Sequence, residues 1–446
     1  MKILALQRGF FFDMELESIY KKLSGSLERI TTDTRTIAPG DVFFALKGPN
    51  FNGNAFAQDA LNKGAIYAVV DEISDSESEN LILVEDVLQC LQSLARLHKR
   101  KMGIRTIGIT GTNGKTTTKE LLFEVCTRHF RTHATKGNLN NHIGVPLTLL
   151  KLRPEHEILI LEMGANKPGD IAELCELGDP DLGLITSIGK AHLEGYENFD
   201  QLIETKFALF DHVQAKGGVC FFNLNSEILS SAYNSLPGQI GFGDVSTPGI
   251  YKFSLQASHP VVKLTQHAPL KENSFSSNLY GVHNYQNLIA AITLGEYLGV
   301  PVSQIQEALV AYLPANMRSQ VTQWKNNKIL LDAYNANPDS MKYALMSLAE
   351  YNKEDKWAIL GQMAELGEAS AREHRMIMDL AMDLGIEKLI FIGKDWPRMI
   401  GHQNVHVFDT LSEGSDFLNK NLPQQKTILI KGSRSIGLEG ILSENQ

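Results

Sequence analysis

The stretch "GITGTNGKTTTKE", Gly108 to Glu120, carries the residue types of a phosphate-binding loop. The common pattern is G-x-x-x-x-G-K-[ST]. Gly114, Lys115 and Thr116 supply its end, while Ile109 stands where the first glycine belongs. The run "RTIGIT" before it reads as a strand, and "TTTKELLFEV" after it opens a helix. Gly111 can make the tight turn in a loop two residues shorter, which leaves Ile109 as the last apolar residue of the strand. Glycines let backbone N–H groups turn toward phosphate oxygens, and the helix N-terminus adds donors and partial positive charge. Gly111, Thr112, Asn113, Gly114, Lys115, Thr116 and Thr117 are therefore expected to cradle a nucleotide. Lys115 would reach the terminal phosphates and Thr116 would offer its hydroxyl to Mg²⁺. The competing reading, a plain glycine turn between strand and helix, leaves the lysine and threonine in that order unexplained.

Other polar residues stand at places where α/β folds put ligands. Glu162 in "LILEMGAN" ends an apolar strand-like run, and His192 in "GKAHLEG" follows the next one. Near a triphosphate such side chains hold Mg²⁺ or position a nucleophile, and elsewhere they are caps or surface residues. Lys206 in "IETKFALFDHV" reads, on spacing alone, as a solvated helix lysine. In "GVHNYQNLIAA", His283, Asn284 and Asn287 open an amphipathic helix. Asn284 fits a helix cap as well as a ligand contact. Asn287 lies one turn on, where its amide has a donor and an acceptor for an adenine edge. No Ser-His-Asp or Cys-His arrangement stands out.

The elements around these residues alternate. "EILILEMG" and "DLGLITSIG" are nearly continuous apolar runs, as parallel strands buried on both faces require. "TTTKELLFEVCTRHF" and "KPGDIAELCELG" read as the helices between strands, and the rhythm points to an open α/β sheet. A polar part near 225–280, with "YKFSLQ" and "VVKLTQ", is expected to extend that sheet in antiparallel fashion. From "YLPANMRSQV" onward a second βα rhythm begins, with "KILLDAYN", "KWAILGQM", "KLIFIGK" and "TILIKG" as strands. Residues 1–84 form a shorter first segment, and "VEDVLQCLQSLARLHKRK" connects it to the second. Domains of 1–84, 85–313 and 314–446 are expected.

A chain of 446 residues exceeds what one core usually serves. Its net charge of -9 argues against a broad nucleic-acid footprint, though not against anionic substrates held by a few donors. The four cysteines form no C-x-x-C pair and sit among apolar neighbours, as in a reducing compartment. Arg8 splits the apolar N-terminal run, and no stretch approaches the roughly 20 apolar residues that span a bilayer. A cytoplasmic monomer that neither enters membranes nor binds nucleic acid is expected.

The stretches "TGTNGKTTT", "LEMGAN", "AHLEG", the lysine of "ETKFALF", "GVHNYQN", "NMRS" and "LLDAYNANPDSM" resemble, in this order, the motifs of the Mur ligase family. The resemblance runs from about Thr32 to about Glu439, and the family shares the shortened G-T-x-G-K-[ST] loop. It implies three domains: a small α/β UDP-binding N-terminal domain, a central parallel-sheet ATPase domain with the P-loop, and a C-terminal Rossmann-like α/β domain. It implies ATP-dependent amide-bond formation in peptidoglycan precursor synthesis through an acyl phosphate. "DAYNANPDSM", "LGQMAELGEASAREHR" and "ILIKGSRS" are most similar to members that join D-alanyl-D-alanine to a UDP-MurNAc-tripeptide.

Carried over to this chain, the resemblance makes Lys115, Lys206, His192 and Glu162 catalytic. Lys206 would be carbamylated and, with Thr116, Glu162 and His192, hold Mg²⁺. Asn287 would read adenine, Asp332 the ribose and Arg318 the terminal phosphate. Thr34, Arg35, Asn141, Tyr334, Asn335 and Asn337 would contact the substrates. Three positions depart from the family pattern: Asn52-Gly53-Asn54 where Asp-Gly-His is frequent, Gln362 where an acid is usual, and His142 where Glu is common. Of the sister ligases that add one amino acid, the diaminopimelate-adding member carries Asp-Asn-Pro-Arg in its third domain, where this chain has "YNANPDSM". Folylpolyglutamate synthase-like ligases lack a segment such as "TDTRTIAPGDVFFAL". A nucleotide-dependent switch, the reading from another class, would not need Lys206.

Overall fold

A computed structural model describes residues 14–72, 78–189, 193–234, 236, 238–269, 271–351, 355–399, 401–421 and 423–443. His192 lies outside the described residues. The chain divides into two compact units. One comprises Met1–Gly108, Phe130–Ala165 and Gly169–Leu182, the other Ile109–His129, Asn166–Pro168 and Gly183–Gln446.

Three larger sheets follow one another along the sequence. The first has four parallel strands in chain order, β1 (Ile30–Thr31), β2 (Val42–Phe44), β3 (Tyr67–Val70) and β4 (Leu81–Leu83). Helix α1 (Val87–Met102) follows, capped by Asp86 through the amide of Gln89 and closed by Gly103 in the left-handed region.

The second sheet has nine strands: β5 (Arg105–Thr110), β6 (Thr132–Ala134), β7 (Ile158–Glu162), β8 (Leu182–Ile185), β9 (Val219–Asn223), β10 (Ile240–Asp244), β11 (Tyr251–Ala257), β12 (Lys263–Ala268) and β13 (Asn273–Ser276). Their spatial order is β13-β12-β11-β10-β9-β8-β5-β7-β6. The division between the units falls inside β5, after Gly108, and inside β8, after Leu182. Every residue of β7 and β8 is buried, which explains their unbroken apolar runs. The expected antiparallel extension begins at β11, whose partner β12 is antiparallel to it, as β13 is to β12. The part of it before β11 is different. Residues 240–244 form β10, parallel to both β9 and β11, because a helix (Glu227–Tyr233) carries the chain back between β9 and β10.

The third sheet holds β14 (Gln320–Trp324), β15 (Asn327–Asp332), β16 (Lys356–Gly361), β17 (Lys388–Ile392), β18 (Val405–Phe408) and β19 (Thr427–Lys431). Its order is β14-β15-β19-β16-β17-β18, antiparallel only at β14. Successive side chains leave opposite faces of a strand. Leu330, Ala358, Leu360, Leu389, Phe391 and Leu429 accordingly enter one core, and Ile329, Leu331, Ile359, Ile390, Ile392, Ile428 and Ile430 the other. β19 lies between β15 and β16, so the order reverses there and the ends of these strands flank a crevice of the kind that binds ligands in open α/β sheets.

Cys90, Cys126, Cys175 and Cys220 are all unpaired and buried, and burial pushes each thiol up to about 12. Among the described residues no helix is long and apolar enough to cross a membrane.

Ile359 is fully buried between two covered faces, whereas Val321 on the edge strand β14 is 41% exposed. Ile359→Ala should cost about 2–5 kcal/mol of stability. Val321→Ala should stay within about 0.5 kcal/mol, both read from denaturant unfolding of the third-sheet signal.

Candidate active site

β5 ends at Thr110 and helix α2 (Lys115–Thr127) starts five residues on, so four residues make the loop. Two glycines set its path. Gly111 has φ +144°, and a Cβ there would lie 2.1 Å from Thr186 Oγ1. Gly114, the residue before α2, has φ +83°, and a Cβ there would lie 2.3 Å from Asn287 Oδ1. Neither position admits a side chain. Ile109 is fully buried within β5, as expected once the turn is given to Gly111.

The loop is fastened to the segment that follows β8. The Thr112 amide donates to Ser187 O at 2.8 Å and the Asn113 amide to Ser187 Oγ at 2.9 Å. Asn113 O accepts from Thr186 Oγ1 at 2.6 Å and Ser187 Oγ at 3.1 Å. Thr112 Oγ1 accepts from the Gly189 amide at 3.0 Å and donates to Gly189 O at 3.1 Å. Lys115 folds over the loop and donates to Gly111 O at 2.6 Å and Thr112 O at 3.1 Å. Thr116 and Thr117 are buried in the first turn of α2. Concave backbone, a helix N-terminus of thirteen residues and a lysine that reaches across the mouth make an anion cradle.

Lys206 departs from its local reading. It lies on α4 (Phe199–Ala215), with α3 (Asp170–Gly178) the helix before it, and it is only 4% exposed. Burial, helped by the Lys115 ammonium, holds its amine down to about 7. The helix face that carries Lys206 also buries Leu202, Leu209, Phe210 and Val213, which the lysine's polarity concealed in the sequence. An amine partly neutral at neutral pH is a nucleophile able to add CO₂.

Asn284 is not the cap of α5 (Val282–Tyr297), because the helix begins at Val282 and Gly281 occupies the cap position. Its amide instead donates to Tyr280 O at 2.8 Å and accepts from Asn287 Nδ2 at 3.0 Å. Asn287 Oδ1 in turn accepts from Thr118 Oγ1 at 3.2 Å. The pair therefore forms a chain of amides that holds α5 against the start of α2.

At the crevice of the third sheet, Asp332 and Lys431 are register partners at the ends of β15 and β19. Lys431 Nζ donates to Asp332 Oδ2 at 2.5 Å and to Asn335 O at 3.2 Å, and the Ser319 amide donates to Asp332 Oδ1 at 3.3 Å. Burial pushes the Asp332 carboxyl up, but the Lys431 charge and hydrogen bond override it and hold the group below the usual carboxylate value. His283, joined to Ser319 Oγ at 3.2 Å, is pushed down to about 4 by burial, against the pull of Asp332. The Arg318 guanidinium stacks over the Tyr334 ring, 3.8 Å from its centroid. Asn337 caps α6 (Pro338–Glu350) in a capping box with Ser340. Asn337 Nδ2 also donates to Asn113 Oδ1 at 2.8 Å, so it touches the loop itself.

In the other unit Glu162 ends β7, 2% exposed, with its amide donated to Thr135 Oγ1 at 3.0 Å and its Oε1 accepting from Asn140 Nδ2 at 2.8 Å. Asn141 makes a local turn, its Oδ1 accepting from the amides of Ile143 and Gly144 at 3.1 and 2.9 Å. Arg35 is paired with Asp33, at 2.7 Å between Nη2 and Oδ2, and Thr34 O accepts from Lys63. Of the departing positions, Asn54 is buried and tied to Asp71 at 2.7 Å, and Gln362 Oε1 accepts from the Lys394 amide at 3.1 Å. His142 is exposed, and its carbonyl accepts from Gln92. Among the described residues no group of three or more His, Cys, Asp and Glu side chains is placed to hold a metal ion.

Sequence reasoning passed over Asn140, Thr186, Ser187, Ser319 and Lys431. Only Lys431 left a usable signal, as a lysine closing the buried strand "TILIK".

Three family models match the chain: Mur ligase family, catalytic domain, over residues 26–99; Mur ligase middle domain over 109–295; and Mur ligase, glutamate ligase domain, over 317–434. A curated relative from Bacillus subtilis (strain 168), UDP-N-acetylmuramoyl-tripeptide–D-alanyl-D-alanine ligase, is 32% identical over 93% of this chain and 92% of its own length. The chain belongs to the Mur ligase family. Among solved Mur ligase structures, MurF from Acinetobacter baumannii superposes with a TM-score of 0.84 at 28% identity, covering 93% of this chain and 92% of that one. MurF ligase from Thermotoga maritima in complex with ADP gives 0.82 at 25%, covering 94% and 97%. The three-domain α/β fold of the Mur ligases is thus the fold of this chain.

Gly111→Ala should weaken Mg-ADP binding by at least roughly tenfold, because the new methyl displaces Thr186 and with it Asn113. Titration calorimetry on the folded variant reads this directly.

Proposed function

We propose that the chain joins D-alanyl-D-alanine to UDP-N-acetylmuramoyl-tripeptide, with ATP cleaved to ADP and phosphate, in cytoplasmic peptidoglycan precursor synthesis. The carrying observation is similarity over more than nine-tenths of the chain to ligases of that name, together with the phosphate loop built as described. Residues 1–84 are assigned to the UDP-MurNAc-peptide, 85–313 to ATP and 314–446 to the incoming dipeptide. The protein acts as a monomer, without nucleic acid or membrane insertion.

A carboxylate oxygen of the tripeptide attacks the γ-phosphorus of ATP, the bond to the bridging oxygen breaks, and ADP leaves. The amino group of the dipeptide then attacks the acyl carbon. The tetrahedral intermediate expels phosphate, and the amine proton is lost to solvent or a nearby base. Little covalent work falls to the protein, which must position the reactants and neutralise charge. Loop amides and Lys115 take the β and γ oxygens, and Arg318, presented by the Tyr334 ring, takes the terminal phosphate. Asp332, fixed by Lys431, accepts from the ribose, and Asn287 reads adenine. Thr34, Arg35 and Asn141 serve the nucleotide-linked substrate, and Tyr334 and Asn335 the dipeptide end.

A Mg²⁺ site of the family type is part of this reading, and the burial of Lys206 supports it. Burial, with the Lys115 charge beside it, holds the Lys206 amine down to about 7, the direction that favours addition of CO₂. Its carbamate, with Thr116, Glu162 and His192, would hold the ion. Mg²⁺ supplies charge neutralisation at the phosphates.

Phosphate release from Mg-ATP should require both UDP-MurNAc-tripeptide and D-Ala-D-Ala, with a product heavier by the joined dipeptide in the mass spectrum. Release indifferent to the dipeptide would overturn the assignment. Lys206→Ala should abolish ligation and recover part of it with added short carboxylic acids. Its loss should also remove a carbamate carbon resonance seen after equilibration with labelled bicarbonate.

A further inference from the structure

Asn113 and Asn337 make a reciprocal amide pair, Asn337 Nδ2 donating to Asn113 Oδ1 at 2.8 Å and Asn113 Nδ2 to Asn337 Oδ1 at 3.4 Å. They stand 224 residues apart, one in the phosphate loop and one at the start of α6. Each is held rigidly from its own side. The backbone of Asn113 is bound through both its amide and its carbonyl to Thr186 and Ser187. Asn337 Oδ1 accepts from the Ser340 amide at 2.9 Å while its own amide donates to Ser340 Oγ at 3.0 Å. The Asn337 oxygen therefore serves cap and partner at once, and its orientation follows α6.

A second contact joins the same two places. A Cβ on Gly189, whose backbone is bonded to Thr112, would fall 2.2 Å from Asp339 Oδ2. The segment that fastens the loop thus also meets the first turn of α6. An asparagine pair suits this position. It donates and accepts in both directions, and it brings no negative charge to a loop that takes a polyanion. Among the described residues the side chain of Asn113 is bonded to Asn337 alone, so a shift of the loop backbone on phosphate binding is passed to α6.

We propose that Asn113 and Asn337 are a positioning pair that registers the first turn of α6 on the phosphate loop, so that nucleotide binding orders the start of the dipeptide-binding segment. This gives Asn337 a role in place of direct substrate contact. The assignment of α6 to the dipeptide rests on the ligase reading above. The pairing of loop and helix does not.

Two variants separate the pair from the cap. Asn337→Ser retains a good capping residue but cannot reach Asn113, and Asn113→Ala removes the partner without touching α6. Hydrogen exchange at residues 339–341 is measured with and without Mg-ADP. The wild type should show exchange slowed by roughly threefold or more on adding Mg-ADP, and both variants should lose that dependence. The affinity of Asn337→Ser for Mg-ADP, taken by calorimetry, should stay within roughly twofold. Nucleotide-dependent protection retained in either variant, or absent from the wild type, would overturn the proposal. So would a tenfold loss of ADP affinity in Asn337→Ser, which would make Asn337 a nucleotide contact.

In the ligation assay each variant should lose roughly tenfold in kcat/KM for D-Ala-D-Ala, and the double variant no more than either single one. Additive losses would sink the pair. If the wild type forms no dipeptide product, the ligase reading fails, and the exchange measurement alone decides the pair.

Discussion

The site depends on one close approach, that of Gly111 to Thr186. With no Cβ between them, the loop backbone lies against the residues after β8, and the Thr186 and Ser187 hydroxyls grip Asn113. A hydroxyl grip of this kind is short-range and directional, so it fixes the path of the loop backbone at Asn113. From that anchor the remaining contacts follow in sequence. Gly114 lets α5 bring Asn287 against the helix start, Asn287 engages Thr118, and Asn113 reaches α6. Two glycines thus allow three separate stretches of the chain to converge on four loop residues.

Burial of charge is arranged differently at each polar centre. Lys431 is buried and Asp332 half-buried, joined as an ion pair with further hydrogen bonds, which is the arrangement that lets a buried charge persist. His283 meets the same surroundings by staying neutral. Lys206 is stripped of water by burial, the Lys115 charge adds to the effect, and its amine is held down to about 7. An acidic net charge does not by itself bar a polyanion, since backbone amides and a helix N-terminus can supply donors whose dipoles do not change with pH.

Much of this was legible in the residue string. Strands buried on both faces announce themselves as apolar runs, and β5, β7, β8 and the third-sheet strands stand where those runs stood. The shortened loop was readable because glycine, lysine and threonine each have one mechanical reason to be there. What stayed hidden depends on partners distant in sequence. Asn287 is answered by Thr118, 169 residues away, and nothing local distinguishes that bond from an adenine contact. Thr186, Ser187 and Asn140 are small polar residues of kinds found in any loop, and their importance comes from what the fold lays beside them. Lys206 was misleading for the opposite reason, since a lysine on an amphipathic helix reads as solvated unless the packing around its stem is known. β10 was missed as a parallel strand because a five-residue run holding two glycines carries little pattern.

The burial of the four thiols has a practical side. A group titrating near 12 is ionised at pH 7 to on the order of one part in 100,000, and only the thiolate attacks alkylating reagents. The native chain is in this sense already a cysteine-silent background. A single cysteine introduced on an exposed face, at the start of α6 or beside the third-sheet crevice, would take up a maleimide probe alone. Fluorescence or spin-label distances could then follow the enzyme through its cycle without first stripping thiols from its core.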